Sequence, residues 1–321
     1  MKNVINAVMV LTGTFIGAGF ASGKEIWQYF GVFGDFGMVG IALSCLLLSA
    51  FAYCTACNIT SLGEDVYVKQ LCSFKWVNWL LNGYMVLMLC TMITAFGECL
   101  NQTFGLPKLF GVVLMDLATM VILYFGAKGL VKLSTVVTPL IISGIVFSYL
   151  SNNIMEVFSY NNFVTSSVVY TSYNVISLPF IMSGLKESFS NKKQITCCST
   201  LFGVLVFCLA FCVLGLLKFS DTVAPIPLIT SVSSEFSYIL IVVLAMSMLT
   251  TAVSNGHGFI NGVAFDKMKS IVFLGAFAIV FSLFSFGFII KYLYSLFGYM
   301  GLYIFIKNFY IFLKNKEKTR K

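Results

Sequence analysis

GTFIGAGFASGKE, residues 13–25, lies inside the first apolar run of the chain, and its reading decides the fold. A helix meant only to cross a bilayer gains nothing from Gly13, Gly17, Gly19 and Gly23, because each costs about 1 kcal/mol of helix propensity relative to alanine. Two uses could justify them. Small residues let helices pack closely, as in the GxxxG pairs Gly13 with Gly17 and Gly19 with Gly23. Alternatively the helix is interrupted there, and its freed backbone groups bind something.

The surroundings of that stretch are those of a membrane protein. Of the 321 residues 59% are hydrophobic and 10% charged, with a mean hydropathy of +0.94, which no soluble domain of this size sustains. A transmembrane helix needs about 20 mostly apolar residues. Ten such runs are expected, at residues 3–32, 36–59, 76–102, 107–126, 129–150, 161–188, 194–218, 234–257, 268–290 and 292–313. None alternates with period two, which excludes a barrel. The first run follows a single lysine, Lys2, without a small-residue cleavage site, and reads as a retained span.

With the N-terminus inside, all but Lys24, Lys108, Lys218 and Lys291 of the 20 basic residues fall at cytoplasmic ends. That asymmetry predicts a multi-pass protein of the inner, cytoplasmic membrane with both termini in the cytoplasm. It also accounts for the net charge of +8 and for the basic tail KNKEKTRK, residues 314–321, without a nucleic-acid partner. The lipid bilayer and a small-molecule substrate are the partners the sequence implies; it leaves the oligomeric state open.

Enzyme chemistry finds no foothold. P-loop, GxSxG and HExxH motifs are absent from the sequence, and Gly17-Ala18-Gly19 follows no strand. The ten cysteines include Cys54-Thr55-Ala56-Cys57, but that pair lies within an apolar span where cysteine behaves as a small hydrophobe, and no second CxxC follows. No cofactor is expected.

Comparison of the two halves favours the binding reading of the glycines. The chain divides near residue 155 into five spans plus five, repeat one over about 1–155 and repeat two over about 156–313. The first span of each half is the interrupted one: GTFIGAGF in the first, SYNVISLP (residues 172–179) in the sixth. Broken helices at corresponding positions point to an inverted-repeat transporter with its site near the bilayer midplane. Unwound N–H and C=O groups would otherwise be unpaired in lipid at several kcal/mol each. At the sixth-span break, Ser172, Tyr173 and Asn174 are the expected contacts, with Pro179 keeping the following turn from closing the gap.

Two further polar stripes have helical spacing. Ser247, Thr250, Thr251 and Ser254 share one face of the eighth span, and Thr91, Thr94, Glu98 and Asn101 one face of the third. Thr94 and Glu98 are expected beside the break, Glu98 as a substrate contact or proton carrier or, equally, as a plain interfacial carboxylate. Asp116, in mid-span, should be neutral, partnered or facing water, and a structural hydrogen bond is expected for it. Glu25 is read as a gate residue, and Lys132 as a snorkelling interfacial lysine.

The pattern Gly13-x-x-Ile16-Gly17-x-Gly19 followed by FASGKEIWQYF resembles the YkvI family of bacterial membrane proteins, within the amino acid-polyamine-organocation (APC) superfamily that shares the LeuT fold. The likeness covers nearly the whole chain. It implies an all-α integral membrane fold of ten helices in a 5+5 inverted repeat, with helices 1 and 6 broken. It also implies a secondary transporter, coupled to sodium or to protons, but supplies no substrate for this branch; a small amino acid or related amine is expected because an amide pair at the break suits a carboxylate and the apolar surroundings argue against a large polyanion. Carried over residue by residue, substrate would bind at Gly17 and at the amides of Ala18 and Gly19. A sodium ion would sit among the carbonyls of Gly13, Ile16 and Ser247 and the hydroxyls of Thr250 and Thr251. The loop at 220–235 matches the lid-like extracellular loop of that fold. Spore-germination receptor subunits share the superfamily fold, so a ligand sensor without accumulation is the alternative.

Overall fold

The computed structural model describes residues 2–126, 137–143, 145–146, 162–189, 191–217, 224–230, 234–263 and 265–318. No strand occurs among them. Six helices are long and apolar enough to cross a membrane. The fifth expected span falls largely outside the described residues, as do Lys132 and the expected boundary near residue 155, so the full count of ten rests on the sequence.

The first span is in three pieces. Helix α1 (Lys2–Phe15) stops at Ile16, α2 (Ala18–Ala21) is a single turn, and α3 (Lys24–Tyr29) begins after Gly23. Gly23 has φ 81°, a left-handed conformation that a side chain would strain. There follow α4 (Asp35–Leu62), the short α5 (Glu64–Leu71), α6 (Lys75–Phe104) and α7 (Lys108–Phe125). The sixth span is likewise split, into α8 (Phe163–Asn174) and α9 (Leu178–Ser183), with Pro179 in the first turn of the second piece, where its missing N–H is harmless. Next come α10 (Lys192–Leu217), α11 (Ser234–Gly262) and α12 (Lys267–Phe281). A last long helical stretch opens at Phe286, passes through a π-helical segment, Ile289–Tyr294, and ends in α13 (Ser295–Lys318).

Burial sorts these helices into centre and rim. In its membrane-crossing window α6 is 83% buried and α11 72%, against 33% for α7. The two central helices pack on each other, and α1 lies against α10 and α11. Polar side chains tie distant elements where lipid offers no competing partner. Asn58 of α4 donates to the Asn308 carbonyl (3.1 Å) and side-chain oxygen (3.0 Å) on α13, Tyr67 of α5 donates to the same oxygen (2.9 Å), and Asn308 donates to Thr55 (3.0 Å). Asn315 bonds Ser61 nearby, so the C-terminal end of the chain and α5 share one face of the bundle.

On the opposite face lies the described part of the expected lid, residues 224–230. It is clamped to both sides of the bundle. Gln102 of α6 exchanges two hydrogen bonds with the backbone of Ile226 (3.2 and 3.0 Å), the Leu228 amide donates to the Ser22 carbonyl (3.0 Å), and Lys24 Nζ donates to the Ala224 carbonyl (3.0 Å).

The largest difference from the expected boundaries lies between the last two spans. The ninth span ends at Phe281 and not near 290, and the last opens at Phe286 and not at 292. The Ser285 hydroxyl accepts from the Phe288 amide (3.4 Å) and so caps the new start.

Candidate functional site

Where α1 ends, its backbone bonding changes. The Ile16 amide still donates to the Thr12 carbonyl (2.9 Å), but the Gly17 amide turns back to Phe15 (2.8 Å) and so leaves the Gly13 carbonyl, its helical partner, unclaimed. Helix α11 supplies what faces these carbonyls. Thr251 Oγ1 lies 3.3 Å from the Gly13 oxygen, 3.2 Å from that of Thr14 and 3.2 Å from that of Ile16. Thr250 Oγ1 lies 3.2 Å from Gly13 and 2.9 Å from the Ser247 carbonyl. Each hydroxyl has one proton, so two protons serve the carbonyls of Gly13, Thr14, Ile16 and Ser247. Such an excess of converging hard oxygens, fully buried, is the donor set a small cation needs. The five residues expected at the ion site are therefore together, and Thr14 joins them.

The two breaks open on one small cavity of ≈ 10 Å³, room for about one water. From the first span come Thr14, Phe15, Gly17 and Glu25, from the sixth Asn174, Ser177 and Leu178. Tyr84 and Met88 of α6 and Thr251 and Asn255 of α11 complete the wall. Thr251 thus belongs to both the oxygen cluster and the cavity. Larger clefts lie at the rim of the bundle; one of ≈ 730 Å³ is lined by aromatic side chains including Trp79 and Phe273. Those side chains are exposed, as a lipid-facing surface requires, and no freed backbone opens there.

Glu25 reaches the cavity because the chain doubles back ahead of it. The Gly23 amide donates to Phe20 (3.0 Å), Ser22 Oγ to the Gly19 carbonyl (3.0 Å), and α3 then points the carboxyl inward. There Glu25 is only 3% exposed, lies directly against Gly19, and accepts a hydrogen bond from the Tyr173 hydroxyl. Rings surround it: Tyr173 and Tyr294 are 5.0 Å apart by centroid, Tyr170 and Tyr173 5.5 Å, Tyr29 and Tyr173 5.7 Å.

Of the expected substrate contacts, Gly17 and Asn174 line the cavity and Tyr173 touches it through Glu25. Ala18 opens the adjacent turn α2, and Gly19 follows it there without lining the wall. Ser172 is turned away, its carbonyl against Gly301 of α13. Thr94 and Glu98 also lie elsewhere. The side of α6 that meets the break carries Tyr84, Met88 and Met92, i, i+4 and i+8, roughly a quarter turn from the threonine stripe. Thr94 is fully buried without a partner for its hydroxyl, and Glu98 pairs with Lys108 at 3.0 Å. Asp116 faces Gly275 of α12, and its Oδ1 has no hydrogen-bond partner, so the expected structural bond is not formed there.

Sequence reasoning placed Glu25 at a gate and passed over Tyr84, Met88, Ser177 and Asn255. A carboxylate inside an apolar run was the available signal.

No family model matches the chain. Two Bacillus subtilis (strain 168) proteins are similar over most of its length: the uncharacterized protein YyaD, 22% identical over 93% of this chain and 94% of that protein, and the uncharacterized membrane protein YkvI, 24% identical over 91% of each. Among solved structures, a Na+-coupled sialic acid symporter in a substrate-bound, outward-open state superposes with a TM-score of 0.66 at 11% identity, covering 93% of this chain and 75% of that one. MhsT in complex with L-phenylalanine gives 0.60 at 14%, covering 95% and 87%. The chain therefore has the all-α, LeuT-like membrane fold of these transporters.

Proposed function

We infer that this protein is a secondary active transporter that moves a small solute, an amino acid or related amine, by alternating access with sodium coupling. One observation carries the reading: the breaks of the first and sixth spans meet at a single cavity, and the freed carbonyls of the first join the Thr250 and Thr251 hydroxyls beside it. Lipid-buried helices are not unwound at such expense unless the groups serve a ligand. Likeness in fold to a Na+-coupled symporter supports the same reading, and the two B. subtilis relatives support membership of a YkvI-type branch of the APC superfamily.

In this mechanism sodium is held by Gly13, Ile16, Ser247, Thr250 and Thr251 and the solute occupies the adjoining cavity. Because Thr251 faces both, ion and solute each favour the closed arrangement of the other. Helices one, two, six and seven rock against three, four, eight and nine. The lid clamped by Gln102 and Lys24 opens on one face, and α1 swings on the other. The two repeats lie in the cytoplasmic membrane with both termini in the cytoplasm. One sodium ion supplies about 2.3 kcal/mol per 100 mV and about 1.4 kcal/mol per tenfold gradient, enough to accumulate solute several hundredfold.

Purified protein in liposomes tests this. Sodium should raise its unfolding temperature where potassium does not, and an inward sodium gradient should drive saturable uptake from a panel of amino acids and amines. Ligand-induced stabilisation without flux would favour a sensor, and proton-driven uptake indifferent to sodium would replace the coupling ion.

A further inference from the structure

We propose that this cavity, which has room for about one water in this structure and widens when the bundle rocks open, takes a cationic amine that brings no carboxylate of its own, with the Glu25 carboxylate as the fixed counter-charge. This rests on the transporter reading only for the identity of the cavity as the solute site.

Charge is the first argument. Glu25 is the one ionisable carboxyl lining the cavity, and no described residue places a positive charge within ion-pair distance of it; among those residues the sole ion pair is Lys108 with Glu98. A buried carboxylate calls for a cation, and the vacant position beside it is the cavity.

Hydrogen-bonding capacity points the same way. Asn255 donates one amide N–H to the Thr251 carbonyl (2.9 Å), and its Oδ1 remains, buried and without a donor. Asn174 donates one amide N–H to the Tyr170 carbonyl (2.9 Å) in the same fashion. With one N–H of each amide engaged and Thr251 committed to the first-span carbonyls, the acceptors left on the wall include the Asn255 Oδ1 and the Glu25 carboxyl. An ammonium group, three donors and no acceptor, is its complement. Aromatic rings add to the preference: Phe15 and Tyr84 line the wall and Tyr173 and Tyr294 pack behind the carboxyl, and ring faces attract cations.

The place for a ligand carboxylate is already taken. Amides at the first-span break would suit such a group, yet the Glu25 carboxyl lies directly on Gly19 at that break. A second carboxylate would meet it as a like charge, so an amino acid should bind less well than the amine left when its carboxylate is removed.

Two matched sets of probes test this on the full-length protein in detergent with saturating sodium: isoamylamine, leucine and 4-methylvalerate; phenethylamine, phenylalanine and 3-phenylpropionate. Thermal stabilisation is the readout. At least one amine should stabilise the protein, the corresponding amino acid should need about tenfold more for the same shift, and the acids should give none. Glu25→Gln should abolish the amine response while keeping the sodium response, which also shows that the variant is folded. Should that variant not purify, Glu25→Asp should weaken the amine response and leave the acids inert. An amino acid or acid that equals its amine, an amine response retained in Glu25→Gln, or no amine response in protein that answers to sodium would each overturn the proposal. Amine stabilisation without any sodium response would support it and instead sink the sodium site.

Discussion

Polar groups inside the membrane are handled in two ways on the two sides of the first-span break. Where α1 ends, they are backbone carbonyls and threonine hydroxyls, all formally neutral, each hydroxyl of α11 within 3.3 Å of the first-span carbonyls it faces. Where α3 begins, a single ionisable carboxyl is carried in on a side chain and steadied by one tyrosine from the sixth span. A neutral cluster gains specificity from the number and geometry of its oxygens, whereas a charged group gains it from sign. In the proposed transporter the first arrangement is the one that would discriminate among ions of similar charge, and the second the one that would select the class of solute. Placing them on either side of one turn lets Thr251 and the short α2 link ion to solute.

The strongest way to break this division is to remove the hydroxyls. In a Thr250→Val, Thr251→Val double variant the four carbonyls remain but both hydroxyls of the cluster are gone, and the sodium concentration needed for stabilisation or uptake should rise about a hundredfold, about 2.7 kcal/mol. Serine at both positions should restore most of it. Sodium dependence unchanged in the valine variant would remove the basis for the neutral side.

A second substitution acts on the charged side alone. A methyl group at Gly19 would overlap the Glu25 carboxyl, which has to move for any side chain to fit. Gly19→Val should therefore weaken solute binding by about 2 kcal/mol, the scale of overpacking a filled core, while the sodium response stays near wild type. Gly13 makes the reciprocal case, because a methyl group there would overlap Thr138 Oγ1, so Gly13→Val should damage the sodium response first. If both variants lose both responses together, the two sides are one site and the comparison fails.

The neutral side was legible in the sequence because its geometry is set by helical spacing: Ser247, Thr250 and Thr251 occupy one face whatever the helix packs against, and glycines announce the break opposite. SYNVISLP was legible for the same reason, with Pro179 fixing where the second piece starts. Glu25 was not, since its direction depends on a left-handed glycine and a serine cap that turn the chain back, and neither leaves a periodic trace. Helix α6 misled in another manner. Its buried face is so broad that polar threonines and the apolar Tyr84, Met88 and Met92 lie on neighbouring stripes, and polarity alone chose the wrong one. The end of α12 was hidden because FSLFSFGFII stays apolar through the turn, with Leu283 85% exposed there. Hydropathy registers what the lipid touches, and lipid touches that turn as readily as a helix.

Between the two sides stands Tyr173, the one residue expected at the sixth-span break that reaches across to the first. Tyr173→Phe keeps the ring, its packing on Tyr294 and the fold, and removes only the donor to Glu25. A hydrogen bond to a charged group is worth about 1.5–3 kcal/mol, but the freed carboxylate can bond the ligand instead, so the lower end applies and solute affinity should fall about tenfold. Calorimetry of an amine on both proteins measures it. An unchanged affinity would mean that Glu25 is positioned by Gly19 and the α3 turn without help from the sixth span.

The smallest expected effect belongs to Glu98, which the sequence placed beside the solute and the structure places against Lys108. Both side chains remain partly exposed, 18% and 27%, and Lys108 has a second partner in the Phe284 carbonyl at 3.0 Å. Such pairs contribute about 0–1 kcal/mol because solvent screens them and ordering two long side chains offsets the attraction. Glu98→Gln should thus shift the unfolding temperature slightly and leave solute affinity, sodium response and their coupling within about twofold of wild type. The contrast with Glu25 is what gives this test its value. Both are glutamates in apolar helices, and only the one with no cation of its own should need one from the ligand. A large loss of solute binding in Glu98→Gln would show that charge at the mouth of the pathway, and not charge inside the cavity, governs selection.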